Sequence, residues 1–192
     1  MTTLANSANL SSRGEVLAAI VESNKELITR FFPGFDDVSA LCQMPTLPNH
    51  VIWQCGHIAL TMHRIAERLD GLPLPSDAFV SGDGRGGSRE RGVYDTESVS
   101  VGSTPVGDPA IYPRFERAVE IVRGACDRLA AACRNATDAA LDAPQQWGAA
   151  SLPLWLLVAR AVFHNGMHTG QVTDLRRAMS MDKIIKGLPP IK

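Results

Sequence analysis

The 192-residue chain has no C-x-x-C pair, no cluster of basic residues, and no unbroken apolar run long enough to cross a bilayer. Each absence closes a class of function. The four cysteines, Cys42, Cys55, Cys126 and Cys133, are read as reduced thiols of a cytoplasmic protein, although an even count leaves disulfides open. Lysine and arginine total 19 against 20 aspartates and glutamates, and the basic residues are scattered. A groove that tracks nucleic-acid phosphates is therefore not expected. The longest apolar stretch, Leu152 to Phe163, is interrupted by Arg160 and falls short of the ~20 residues a membrane helix needs. The opening MTTLANSANLSSRGE holds no basic region followed by an apolar core, so no secretory signal is expected. Internal repeats and long heptad arrays are also missing.

What is present suits one globular domain spanning residues 1–192. Apolar residues make up 45% of the chain, enough for a buried core. Four stretches carry helical periodicity, which places the structured core at about residues 13–180. The first runs from about Arg13 to Phe32, with Val16, Leu17, Ile20, Leu27, Ile28 and Phe31 as its apolar stripe. The second runs from about Asn49, read as its N-cap, to Asp70, stopped by Gly71 and Pro73. The third runs from Pro109 to Arg134, with Phe115, Val119, Val122, Cys126 and Leu129 facing the core. The fourth starts after Ser151, with Pro153 in its first turn, and ends near Ser180. Between the second and third lies a long flexible loop, about residues 72–108, rich in Gly, Ser and Pro. No structure is assigned to Ser81–Gly92, and a short extended piece is allowed around Val99 and Val101. Four helices without a convincing sheet predict an all-α protein, a four-helix bundle.

The chemistry concentrates in histidines. His164 and His168 are four residues apart, so they project from one helix face one turn apart. Ala161, Leu157, Gln171 and Leu175 share that face, which points inward. Such a pair either grips one metal ion or forms a hydrogen-bonded core contact. Asn165 stands where a zinc protease carries its glutamate base, so protease chemistry is not expected. In the second helix His57 lies mid-helix and inward, which makes it the natural third ligand. His50 sits near the helix start in a wetter position, and His63 faces solvent. Three histidines with an open position make a catalytic type of metal site. Trp53, Thr61, Arg64 and Arg68 share the His57 face. Trp53, Thr61, Arg64 and Gln171 are the candidates to surround the ligands or touch substrate. Arg64 holds an anion, or else is a snorkelling or salt-bridged surface arginine. Gln171 orients a ligating histidine, or bonds between helices. Gly166 and Gly170 are costly in mid-helix, and a close neighbour would explain them. Trp147 and Trp155 are expected to pack the core or an interface, and Tyr94 and Arg91 to close over the site.

Trp53, Gly56, His57, Ile58 and Ala59, followed far downstream by His164, Gly166, His168, Gly170, Gln171, Leu175, Arg176 and Arg177, make a pattern that resembles the DinB-like superfamily. The resemblance covers roughly residues 13–180. It implies a four-helix bundle that is commonly a homodimer, with His57, His164 and His168 binding a divalent ion, nickel, zinc or iron. It also implies thiol-dependent transferase or isomerase chemistry with mycothiol, bacillithiol or glutathione as the low-molecular-weight thiol. The Gly82–Gly87 insertion is longer than that pattern. The expected function is thus a metal-dependent thiol S-transferase acting on a small-molecule substrate. A metal-binding module, or a metal-dependent hydrolase without a thiol, is the alternative.

Overall fold

The structure, a computed structural model, describes residues 12–80 and 94–185. It is mostly helical. Its frame is four long helices: α1 (Arg13–Thr29), α2 (Val51–Asp70), α3 (Phe115–Asn135) and α5 (Leu154–Ala178). A short helix, α4 (Asp138–Asp142), sits between the last two. Both α3 and α5 pack on α1 and on α2, so the four long helices enclose one core.

The connections carry strand structure that an all-α reading omits. β1 (Phe79–Val80) pairs in parallel with β2 (Tyr94–Asp95). β3 (Pro144–Trp147) and β4 (Ala150–Pro153) form an antiparallel hairpin that turns at Gly148, whose φ of 61° is the left-handed conformation glycine tolerates. The stretch expected as plain loop after Asn135 therefore folds into α4 and this hairpin. The Ser81–Gly92 stretch, with its Gly-rich insertion, lies outside the described residues.

Local sequence sets the helix ends. Ser12 caps α1 in a reciprocal box with Glu15, at 3.2 Å in each direction. α2 is capped by His50, not Asn49: the ring Nδ1 accepts from the Trp53 amide at 3.1 Å. Gly71 stops α2 with φ 70°. α3 begins at Phe115 rather than Pro109, where the Asp37 carboxylate accepts from the Phe115 amide at 2.8 Å. That partner comes from 78 residues away, beyond the reach of a local signal.

The buried face of α1 also differs from its apolar stripe. Gly14, Ala18, Val21, Asn24 and Ile28 are buried, whereas Val16, Ile20 and Leu27 are 40–49% exposed. Small residues explain the rotation. A Cβ on Gly14 would run into the Cys133 carbonyl oxygen of α3, so the two backbones meet at glycine and alanine rather than through larger side chains.

α2 is covered on almost every side, by α3, by α5 and by the 94–101 segment, so His50 and His63 are buried, not wet. Both are held neutral. His50 Nε2 donates to the Val106 carbonyl at 3.1 Å while its Nδ1 serves the cap. His63 Nδ1 lies 3.3 Å from the Arg128 guanidinium, which also chelates Asp70 through two bonds of 2.9 and 3.0 Å. Burial, reinforced at His63 by Arg128, pushes each imidazole down to about 4. Unfolding returns them to about 6.5, so below that pH the unfolded chain binds more protons. The stability these neutral rings carry is complete above about pH 6.5 and is lost as pH falls toward 4, on the order of 3 kcal/mol per ring. Urea unfolding of metal-free protein is expected to show a midpoint that drops steadily across that window. A midpoint unchanged from pH 7 to 4.5 would contradict the assignment.

Candidate metal centre

α2 and α5 bring three imidazoles to one point. His164 Nε2 lies 3.1 Å from His57 Nε2 and 3.2 Å from His168 Nε2. One ligand atom from each of the three residues falls within 4.8 Å of the others. Two nitrogens on one ion at about 2.1 Å stand roughly 3 to 3.4 Å apart for bond angles between right and tetrahedral. The observed spacing fits that range.

The far side of two rings fixes which nitrogen faces inward. His57 Nδ1 lies 2.6 Å from the Val99 carbonyl oxygen. A carbonyl only accepts, so Nδ1 carries the hydrogen and donates. His168 Nδ1 donates to Gln171 Oε1 at 3.0 Å, and the Asn49 amide donates to the same oxygen at 3.3 Å. In the neutral rings both Nε2 atoms are then bare lone pairs aimed at His164. A single proton on His164 Nε2 can serve only one of them. A hydrogen-bonded trio therefore leaves a nitrogen unmatched in a mostly buried site, whereas a cation at the centre would satisfy all three. Burial holds all three imidazoles below their ordinary range, His168 at about 3, so the lone pairs are free at neutral pH. The residues present fit a divalent ion.

Other groups support the cluster. Trp53 stacks on His57, with ring centroids 4.6 Å apart and planes 10° from parallel, and its indole N–H donates to Ser103 Oγ at 3.0 Å. Gly56 precedes His57 because the 94–101 segment lies against it. A Cβ there would stand 2.8 Å from Val99 Cγ1 and 3.1 Å from the Tyr94 ring. Tyr94 is fully buried, and its hydroxyl donates to the Ile52 carbonyl at 2.8 Å. It is a fixed wedge under the segment, not a cover over the site; Arg91 lies outside the described residues.

The cluster opens on one side into a cavity of about 390 Å³, in the range of small-molecule sites. His57, Thr61 and Arg64 line it from α2, and Arg160 and His164 line it from α5. Trp147 also lines it, with the Arg68 guanidinium 5.0 Å over its ring, so this tryptophan faces the cavity rather than only packing. Trp155 is 39% exposed. Gln171 sits behind His168 and not in the cavity. Asp174 pairs with Arg177 at 2.8 Å. Gly166 and Gly170 have nothing within 4 Å of a would-be Cβ, so no close neighbour among the described residues accounts for them.

The sequence profile of the DinB superfamily matches residues 13–172, well over half of the chain. The chain belongs to the DinB superfamily. No curated protein and no solved structure matches it significantly. Within this DinB chain the Gly-His pair of α2 has a physical reason: the glycine admits the segment whose Val99 carbonyl orients the histidine. Sequence marks Val99 and Val101 only as an allowed extended piece and does not place Val99, Ser100 or Val101 at the site, because a backbone contact across 42 residues leaves no local trace. Arg160 was legible in principle. It lies one turn before His164 on the same helix face.

Proposed function

We propose that this protein is a metal-dependent thiol S-transferase, with His57, His164 and His168 as ligands of one nickel, zinc or iron ion. A small-molecule electrophile and a low-molecular-weight thiol are its substrates. The observation that carries the reading is the convergence of three Nε2 atoms beside a cavity that His57 and His164 line. A bound divalent ion would supply Lewis acidity, which stabilises a thiolate or polarises an oxygen.

The chain's own residues do the rest. Val99 and Gln171 hold His57 and His168 in the tautomer that presents Nε2. Trp53 braces the His57 ring plane. Thr61 places a hydroxyl on the cavity wall for a substrate hydrogen bond. No aspartate or glutamate lines the cavity among the described residues. The thiol as nucleophile rests on the resemblance to thiol-using DinB-like proteins, since an ion held by three histidines would also activate water. The hydrolase and the binding module without turnover are the readings it must beat.

The test is turnover. Protein loaded with nickel, zinc or iron is expected to accelerate coupling of glutathione, mycothiol or bacillithiol to a generic electrophile, and to lose that rate on chelation. If every thiol reacts only at background, the transferase reading falls and the binding module stands.

Other expectations belong to the same proposal. The four cysteines are unpaired and three are buried, which supports a reducing, cytoplasmic setting. Among the described residues no helix is long and apolar enough to cross a membrane. A homodimer is supported by α5 at the cavity mouth, where Phe163 and Met167, which also line the cavity, are 73% and 55% exposed near Gly166 and Gly170. Sedimentation at the mass of one chain would rule that dimer out.

A further inference from the structure

The cavity beside the histidines has a charge pattern that metal binding does not require. Arg64 of α2 and Arg160 of α5 both line it, both are exposed at its rim, and neither forms an ion pair among the described residues. Arg13, Arg117, Arg128, Arg134 and Arg177 pair with carboxylates, whereas Arg30, Arg68 and Arg123 do not among the described residues; what sets Arg64 and Arg160 apart is that both line one cavity. The chain as a whole carries a net charge of −1, so the pair is not a by-product of a basic protein. The rest of the lining is mostly apolar, with Leu60, Ile65, Val101, Leu157 and Phe163 among it and Thr61 and Ser100 as its polar members.

Position along the helices sets a direction. Arg64 is seven residues past His57 on α2, and Arg160 is four residues before His164 on α5. Numbers rise along one helix and fall along the other as the cavity leaves the histidines, so both arginines stand at its same end. A guanidinium pair there matches the planar, bidentate geometry of a carboxylate.

We propose that Arg64 and Arg160 form an anion subsite, and that the cavity takes a carboxylate with an apolar body. The carboxylate lies between the guanidiniums, the body lies on the Leu60–Leu157–Phe163 wall, and the opposite end faces the histidines. This deepens the transferase reading and rests on it only for the reacting end. The carboxylate belongs either to the electrophile or to the thiol.

Calorimetric titration of the full chain with 4-phenylbutyrate and with 4-phenylbutanol tests the subsite. Wild type is expected to bind the carboxylate at least tenfold more tightly than the alcohol. Arg64→Gln and Arg160→Gln are each expected to lose about tenfold for the carboxylate and little for the alcohol. Both arginines are exposed, so unchanged melting temperatures serve as the folding control. Metal content is measured in the same samples. Equal binding of acid and alcohol by wild type overturns the proposal. So does wild-type carboxylate affinity in the double variant, since a carboxylate held by a metal ion alone would ignore both arginines. Glutathione that displaces phenylbutyrate from wild type would place the thiol's carboxylate in the subsite; failure to displace assigns the subsite to the electrophile. An arginine-dependent preference in protein that shows no thiol turnover would keep the subsite and discard the transferase.

Discussion

His168→Ala is expected to abolish stoichiometric binding of divalent metal. His168 contributes one of only three nitrogens at the centre, and the two left behind, 3.1 Å apart, offer a bidentate grip. Zinc bound through four ligands gains about 10–16 kcal/mol, so one ligand is worth about 3 kcal/mol and its loss at least a hundredfold in affinity. Thermal unfolding gives a second readout. A ligand that binds only the folded state raises stability by RT ln(1 + [L]/Kd). Wild type should therefore melt higher with added nickel or zinc and lower with chelator, while His168→Ala should respond to neither. His63→Gln is the control, because His63 is buried 3% exposed in α2 but outside the cluster. It should cost stability and leave metal stoichiometry intact. Wild-type affinity in His168→Ala would remove the basis for the metal centre.

Gly56→Ala is expected to lower both stability and metal affinity, although alanine is the better helix former by about 1 kcal/mol. The added methyl would stand 2.8 Å from Val99 Cγ1 and 3.1–3.2 Å from two atoms of the Tyr94 ring. Neither neighbour yields cheaply. Valine is stiff at its β-branch, and Tyr94 is fully buried with its hydroxyl bonded to Ile52. Overpacking of this kind costs about 1–3 kcal/mol and outweighs the propensity gain. The segment must retreat, taking the Val99 carbonyl away from His57 Nδ1. Losing such an orienting contact weakens metal binding by roughly 10–100-fold. Gly124→Ala in α3 provides the opposite sign. No described residue lies within 4 Å of its would-be Cβ, so the propensity gain of about 1 kcal/mol should appear unopposed. If Gly56→Ala melted higher than wild type with unchanged metal affinity, the link from glycine to carbonyl to imidazole would be wrong.

The residues that sequence could place are those whose signal is local. His164 and His168 share a face because of their spacing, and Leu157, Ala161 and Leu175 mark that face as inward; all three are at most 2% exposed. The four long helices follow from period and stop signals. What failed depended on partners far along the chain. Asp37 decides where α3 starts. The Gly14 contact with α3 helps decide which face of α1 is buried, so Val16, Ile20 and Leu27 of its stripe point out while Ile28 stays in the core. His63 looks polar and peripheral on a helical wheel, yet Arg128 and Phe79 enclose it from elements 65 and 16 residues away. The strands escaped because two- and four-residue segments carry no usable periodicity.

His57 and His164 are 107 residues apart, and α5 follows α2 out of the ribosome. A nascent chain exposing only α2 has a single imidazole of the trio. An ion held by all three histidines would therefore load only after α5 has been delivered and docked. Its identity would then depend on which metals the folded protein meets, since three nitrogen donors discriminate weakly among nickel, zinc and iron. Overproduction in media that differ only in the dominant trace metal should yield the same fold carrying different ions.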